Sequence, residues 1–369
     1  MINKDRLLTT FLAYVAIDSE SGQEETMCQR LCQELTEMGY SFKLFDPVVG
    51  HPSNGKSISV EIEGDADKEG IIFAAHVDTV IPGKGVKAKV YEDGYIRSDG
   101  NTVLGSDDKS GVAALMELLH SLKENNVTHC PLQVLFTIQE EIGTLGAQSI
   151  PVEELAFKQA IVLDSSGDVG RVVTSSPGRI EIHSTVLGRA AHAGNMPEKG
   201  ISALGVMSRA ISNMHLQRID FETTANVGTF VAEGATNIVN ARASITAEIR
   251  SRNIDKLRQE ERHMYKCLSE ACADMGATLE YKIVHESAGY QLPDTAPVVA
   301  RLKRACADCD YNFFTAASGG GSDANVFNQK GLTAVNIATG MEKVHTTGEQ
   351  ISLENLEKTA VLLWHLVTQ

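Results

Sequence analysis

Read for apolar spacing alone, the chain changes style twice. Leu8, Phe11, Leu12 and Val15 recur at helical spacing, with Thr9, Thr10 and Tyr14 between them, and predict an amphipathic first helix. Ile58, Val60 and Ile62 alternate as a half-buried strand, and the unbroken run Ile71-Ile72-Phe73-Ala74-Ala75 predicts a central one. Val112, Leu115, Met116 and Leu119 place a helix at about 109–122, and Leu132 to Ile138 and Ala160 to Leu163 read as further strands. Strands alternating with helices predict a mostly parallel sheet covered on both faces.

Around Ser175-Ser176-Pro177-Gly178 the pattern shifts. Ile180, Ile182 and Val186 alternate cleanly, as do Ala243, Ile245, Ala247 and Ile249, with helical patterns near 200–215 and 254–275. Clean alternation predicts a sheet with one face in water, hence a smaller α+β module. After Ser287-Ala288-Gly289 the first style returns, with a helix near 296–309, the strand Leu332 to Ala338 and a last helix from about 353. The expected organisation is one α/β domain over 1–176 and 288–369, interrupted by an inserted domain at 177–287.

Charge narrows the partners. The 33 Lys and Arg against 48 Asp and Glu give a net charge of −15, which disfavours nucleic acid and anionic membrane surfaces. No apolar run approaches the roughly 20 residues that span a bilayer. The apolar stretch from Leu7 to Ile17 is broken by polar residues and lacks a small-residue cleavage site, so it reads as a helix and not a signal peptide. Seven cysteines, odd in number and sparse, argue against a disulfide framework. Cys28 and Cys32 share a face with Leu31 and Leu35, and Cys306 and Cys309 do so with Val299 and Leu302. All seven are expected as reduced thiols in a cytoplasmic protein.

Ligands of open α/β sheets bind at the carboxyl ends of the strands. Here His76-Val77-Asp78 follows the strand at 71–75, Gln139-Glu140-Glu141 the strand at 132–138, and Asp164 the strand at 161–163. His345 lies in the loop after the strand at 332–338, and Asp107-Asp108 enters the 109–122 helix. Each has an ordinary explanation taken singly: a strand-end hydrogen bond, a charge at a helix start, a solvated surface. Five coinciding at one sheet edge do not. So many carboxylates cannot crowd together ionised unless cations compensate them, and imidazole with carboxylate suits zinc, with cobalt or manganese as alternatives. Residues two apart on a strand share a face, which lets Asp78 orient the His76 ring.

These residues resemble the dinuclear zinc peptidases that include carboxypeptidase G, aminoacylase, succinyl-diaminopimelate desuccinylase and peptidase T. The shared motifs are Ala75-His76-Val77-Asp78-Thr79, Leu104-Gly105-Ser106-Asp107-Asp108-Lys109, Glu140-Glu141-Ile142-Gly143, Val162-Leu163-Asp164 and His345. The resemblance implies two divalent ions bridged by Asp107, with His76 and Asp164 completing one site and Glu141 and His345 the other. It implies Glu140 as the general base acting on a metal-bridged water, Asp78 as a catalytic residue beside His76, and a cis peptide at Asp107–Asp108. The insert becomes a lid and dimerisation domain. There Gly188-Arg189-Ala190-Ala191-His192-Ala193-Gly194 resembles the loop whose histidine stabilises the oxyanion in the partner subunit's site. Asn237, Arg250 and Gly320, the last in the 319–324 loop, match positions that hold substrate. Ser106 departs from the family's pattern, where alanine is expected.

Competing chemistries fit less well. Gly83-Lys84-Gly85-Val86-Lys87-Ala88 matches a dinucleotide fingerprint, but Lys89-Val90-Tyr91 and Asp93-Gly94-Tyr95 after it read as a hairpin. No GxSxG elbow is present. The leading expectation is a peptidase T-like aminopeptidase acting on short peptides, tripeptides in particular. Its alternatives are a carboxypeptidase or N-acyl-amino-acid amidohydrolase with the same metals, and a binding protein on an inactive hydrolase fold.

Overall fold

Buried on both faces, the strand Ile71–His76 pairs in parallel with Leu132–Thr137 on one side and Gln159–Ser165 on the other. Thr333–Ala338 continues the parallel set beyond Gln159–Ser165. These relations come from a computed structural model that describes residues 2–368. Antiparallel strands flank the parallel four: Ser57–Ile62 and then Phe42–Phe45 on one side, Arg171–Ser176 on the other. Four carboxyl ends therefore leave the sheet on one side. The fold is α/β with a parallel centre, as the alternation predicts.

The helices Lys4–Val15, Ser106–Asn125, Pro297–Asp308 and Leu353–Thr368 pack with this sheet into one continuous apolar core. Two local readings change. In the first helix the buried positions are Leu7, Phe11, Tyr14 and Val15, while Leu8 and Leu12 are half-buried. Tyr14 goes inside because its hydroxyl reaches the Glu34 carboxylate, so an apolar ring is buried without stranding a donor. Ser57–Ile62 is buried on both faces except at Glu61: strands pair with both its edges and the helix Glu25–Glu37 packs on it. Gln133 Nε2 donates to the buried Ser59 hydroxyl at 2.9 Å.

Among the described residues, this first unit comprises 2–174, 292–317 and 322–368, and the second comprises 175–291 with 318–321. The second unit holds an antiparallel sheet in the order Gln217–Arg218, Thr223–Val231, Arg242–Ser251, Gly178–Leu187, Thr278–Ser287. Ile180, Ile182, Val186, Ile245 and Ile249 bury one face against Val206, Met207, Met264 and Leu268 of the helices Ala203–Ser212 and Ile254–Met275. The long helix starts where Asn253 accepts from the amides of Asp255 and Lys256, satisfying donors that the first turn leaves open.

Lys89–Val90 pairs with Tyr95–Arg97 as a hairpin, so the 83–88 stretch opens no helix and carries no dinucleotide turn. All seven cysteines are free. No helix among the described residues is long and apolar enough to cross a membrane.

Candidate metal centre

His76 closes its strand almost wholly buried. Its Nδ1 lies 3.0 Å from the Asp78 carbonyl oxygen, a contact that assigns the ring proton to Nδ1 and leaves Nε2 with a free lone pair. That Nε2 lies 3.1 Å from Asp107 Oδ1 and 3.8 Å from Asp164 Oδ1. The second Asp107 oxygen, Oδ2, lies 3.2 Å from His345 Nε2, which is 3.0 Å from Glu141 Oε1. Asp107 thus stands between two histidines and gives one oxygen to each.

Two donors on one tetrahedral zinc at about 2.0–2.1 Å sit roughly 3.3 Å apart. The His76–Asp107, Asp107–His345 and His345–Glu141 spacings of 3.1, 3.2 and 3.0 Å meet that requirement. Glu141 Oε1 adds a second sign. It is buried and forms no hydrogen bond among the described residues, its short distance to His345 notwithstanding. A buried carboxylate oxygen without a donor is costly, and a cation satisfies it. Donor atoms of His76, Asp107 and Glu141 lie within 4.8 Å of one another, as do those of His76, Glu140 and Asp164. The residues present fit a pair of divalent ions.

The electrostatics agree. Burial, reinforced by neighbouring carboxylates, pushes Glu140 and Asp164 well above the usual carboxylate range. Glu141 is raised too, by burial first. Asp107 is desolvated, yet His345 and His76 together hold it below that range. Added positive charge at this cluster would favour the ionised forms of Glu140, Glu141 and Asp164.

Much of what holds these groups is invisible to strand-end counting. The Asp78 carboxylate lies 3.4 Å from His76 Nδ1, and its hydrogen bonds go elsewhere. Oδ1 accepts from the Glu140 amide at 2.9 Å, and Oδ2 from the Glu141 amide at 3.2 Å and from Ser21 Oγ at 2.7 Å. Buried Glu24 accepts the amide of Gln139, whose φ of 52° turns the chain into the Glu140-Glu141 pair. Asn336 brackets the backbone of Asp164, accepting its amide at 2.9 Å and donating to its carbonyl at 2.5 Å. Glu349 accepts from the loop that carries Asp107. Asn336, a polar residue inside an apolar strand, was the one readable signal among these; the others sit in loops without periodicity. Asp108 takes no part with His345. It accepts the amides of His76 and Gly111, and a Cβ on Gly111 would come 2.5 Å from its carboxylate. The Asp107–Asp108 peptide is cis.

The substrate candidates lie in the second unit, as two pairs. The exposed His192 loop bridges to the Asn237 loop: Ala193 N donates to Asn237 O, and Val239 N to Ala191 O, each at 2.9 Å. His192 Nδ1 accepts from the amides of Gly194 and Asn195 at 3.1 Å, which assigns its proton to Nε2. Arg250 forks onto Glu248, Nε to Oε1 at 2.6 Å and Nη2 to Oε2 at 3.1 Å, and its Nη1 reaches Gly319 O at 3.3 Å. Gly320 O accepts from Ser176 Oγ at 2.8 Å.

A family model described as peptidase family M20/M25/M40 matches residues 72–369. The chain is 38% identical to the YqjE protein of Bacillus subtilis, over 100% of this chain and 99% of that one. Among solved structures it is similar to an aminopeptidase PepT from Bacillus cereus, with 37% identity and a TM-score of 0.88 over 100% and 98% of the two chains. It is similar also to a tripeptidase from Staphylococcus aureus, with 33% identity and a TM-score of 0.95, again over 100% and 98%.

Proposed function

The chain belongs to peptidase family M20/M25/M40 as a peptidase T-like member, and from that premise we propose that it is a two-metal aminopeptidase releasing the N-terminal residue of tripeptides. The observation that carries the reading is Asp107, placed between a His76–Asp164 set and a His345–Glu141 set. Asp107 would bridge a pair of ions, with His76 and Asp164 completing one site and His345 and Glu141 the other. Zinc suits these donors best. Two divalent ions held there supply Lewis acidity, lowering the pKa of water and polarising a carbonyl.

The chain's own groups do the rest. Glu140 takes the proton of the attacking water and hands it to the departing amine. Burial raises its proton affinity, which strengthens it as a base. Asp78 fixes the base by binding the amides of Glu140 and Glu141. His192, held as the Nε2–H tautomer by two amides, has a donor ready for the oxyanion. Asn237, Arg250 and Gly320 hold the peptide.

The exposed position of His192 suits action on a second subunit, so the working form is a homodimer joined through the second unit. Its strand Thr223–Val231 supports this: neighbouring Gln217–Arg218 covers only Thr224 and Ala225, and Phe230 and Val231 stand exposed beyond. Seven free thiols suit the cytoplasm.

The test is a panel of free, N-blocked and C-amidated tripeptides with zinc-loaded protein. Cleavage of free and C-amidated peptides, with N-blocked ones spared, is expected. Cleavage of N-blocked substrates alone would eliminate the aminopeptidase in favour of a carboxypeptidase or N-acyl-amino-acid amidohydrolase, and no turnover at all would leave a binding protein.

A further inference from the structure

Four donors converge on one buried carboxylate behind the metal ligands. Glu349 Oε2 accepts from the amides of Leu104 at 2.9 Å and Gly105 at 3.0 Å. Its Oε1 accepts from the Asp107 amide at 3.0 Å and from Ser106 Oγ at 2.6 Å. Glu349 is only 2% exposed. Every donor belongs to the run 104–107, which ends on the bridging aspartate. We propose that Glu349 is a positioning residue that locks the Asp107 loop to the His345 loop and so sets the spacing of the two-ion site before ions bind.

The reach of the lock follows from what surrounds it. Glu349 lies four residues after His345, and the interval is braced internally. Its amide donates to Thr346 O at 3.1 Å, the Gly348 amide to Thr346 Oγ1 at 3.2 Å, and Thr346 Oγ1 to Lys343 O at 2.7 Å. Just beyond, Gln350–Ser352 is pinned as a strand against Tyr95–Arg97. One end of the carboxylate is therefore anchored in sheet, and the other grips the backbone of the residue that faces both histidines. An amide and a carboxylate on the same residue move together, so a shift at Asp107 N shifts Asp107 Oδ1 and Oδ2. Ser106 acquires a reason here: alanine would leave the three amide bonds in place and remove the hydroxyl bond. Outer hydrogen bonds of this kind orient metal ligands and tune affinity.

The inference rests on the two-ion reading, and its test separates the two. Wild type, Glu349→Gln and Ser106→Ala are stripped of metal, then titrated with zinc against a chromophoric chelator. Thermal melts of the stripped proteins and kcat and KM at saturating zinc complete the set. A glutamine keeps the volume but turns an NH₂ toward amide donors. Glu349→Gln is expected to weaken zinc binding about 10- to 100-fold, on the scale of other outer-ligand changes. It should lower kcat with KM nearly unchanged, while the stripped protein melts close to wild type. Ser106→Ala should move the same way by a smaller factor. Unchanged zinc affinity in Glu349→Gln, or a lower melting temperature with unchanged affinity, overturns the inference. Should that variant not fold, wild-type affinity in Ser106→Ala overturns it instead. Wild-type protein that takes up fewer than two ions defeats the two-ion reading and this inference with it.

Discussion

The two units present their functional groups in opposite ways. In the first, His76, Asp107, Glu141 and Asp164 lie at strand ends or tight loops, mostly buried, each backed by hydrogen bonds to distant chain. In the second, His192 and Asn237 are exposed on loops bridged by two backbone bonds, and Arg250 is half-exposed and engaged with Glu248. Burial makes charge expensive, so the first set of groups calls for compensating positive charge. Exposure leaves the second set accessible to the peptide that the proposed function assigns to it. On the proposed reading this is a division of labour, with chemistry assigned to the buried set and recognition to the exposed one.

The sharpest way to break this contrast is to remove the ions. Exhaustive chelation should take peptide hydrolysis to background, with zinc, cobalt or manganese restoring it, as followed by release of free amino acid. Glu140→Ala comes next. Its turnover should fall at least about 100-fold, the lower range for a lost general base. Elemental analysis should still find two ions per chain, and full turnover would refute the assigned role. His192→Ala probes the exposed unit, with kcat falling about 100-fold, as when one oxyanion donor is lost, and zinc affinity unchanged. A drop in zinc affinity there would blur the division between the units. Arg250→Ala should raise KM about tenfold and leave kcat nearly alone, the size of one charged hydrogen bond.

The smallest effect concerns protons. In the ion-free protein, contacts with Asp107 and Glu141 push the His345 ring up to about 10. A raised value means the ring is protonated at pH 7, so zinc must displace that proton, and apparent affinity should climb with pH toward 10. Calorimetric zinc titrations in buffers of different ionisation enthalpy should show at least one proton released. Folding carries the same sign. The contribution of His345 to ion-free stability is whole below its ordinary value of 6.5 and fades as pH rises through about 10.

Hydrophobic period and strand-end chemistry determined a great deal. The apolar run at 71–75 had to be a central strand, because only burial on both faces suits an uninterrupted apolar stretch. Alternation at 180–186 and 243–249 required one wet face, and the insert has it. Once the parallel strands were placed, His76, Asp107, Glu140, Glu141, Asp164 and His345 had one edge to occupy. Tertiary structure alone decided what grips them. That the Asp78 carboxylate serves the amides of Glu140 and Glu141, that Glu24 turns Gln139, and that Glu349 reaches back to Asp107 are matches between a carboxylate and backbone donors. Every non-proline residue carries the same amide, so such partners leave no mark on composition or spacing; only the folded path of the chain selects which amide a given carboxylate meets.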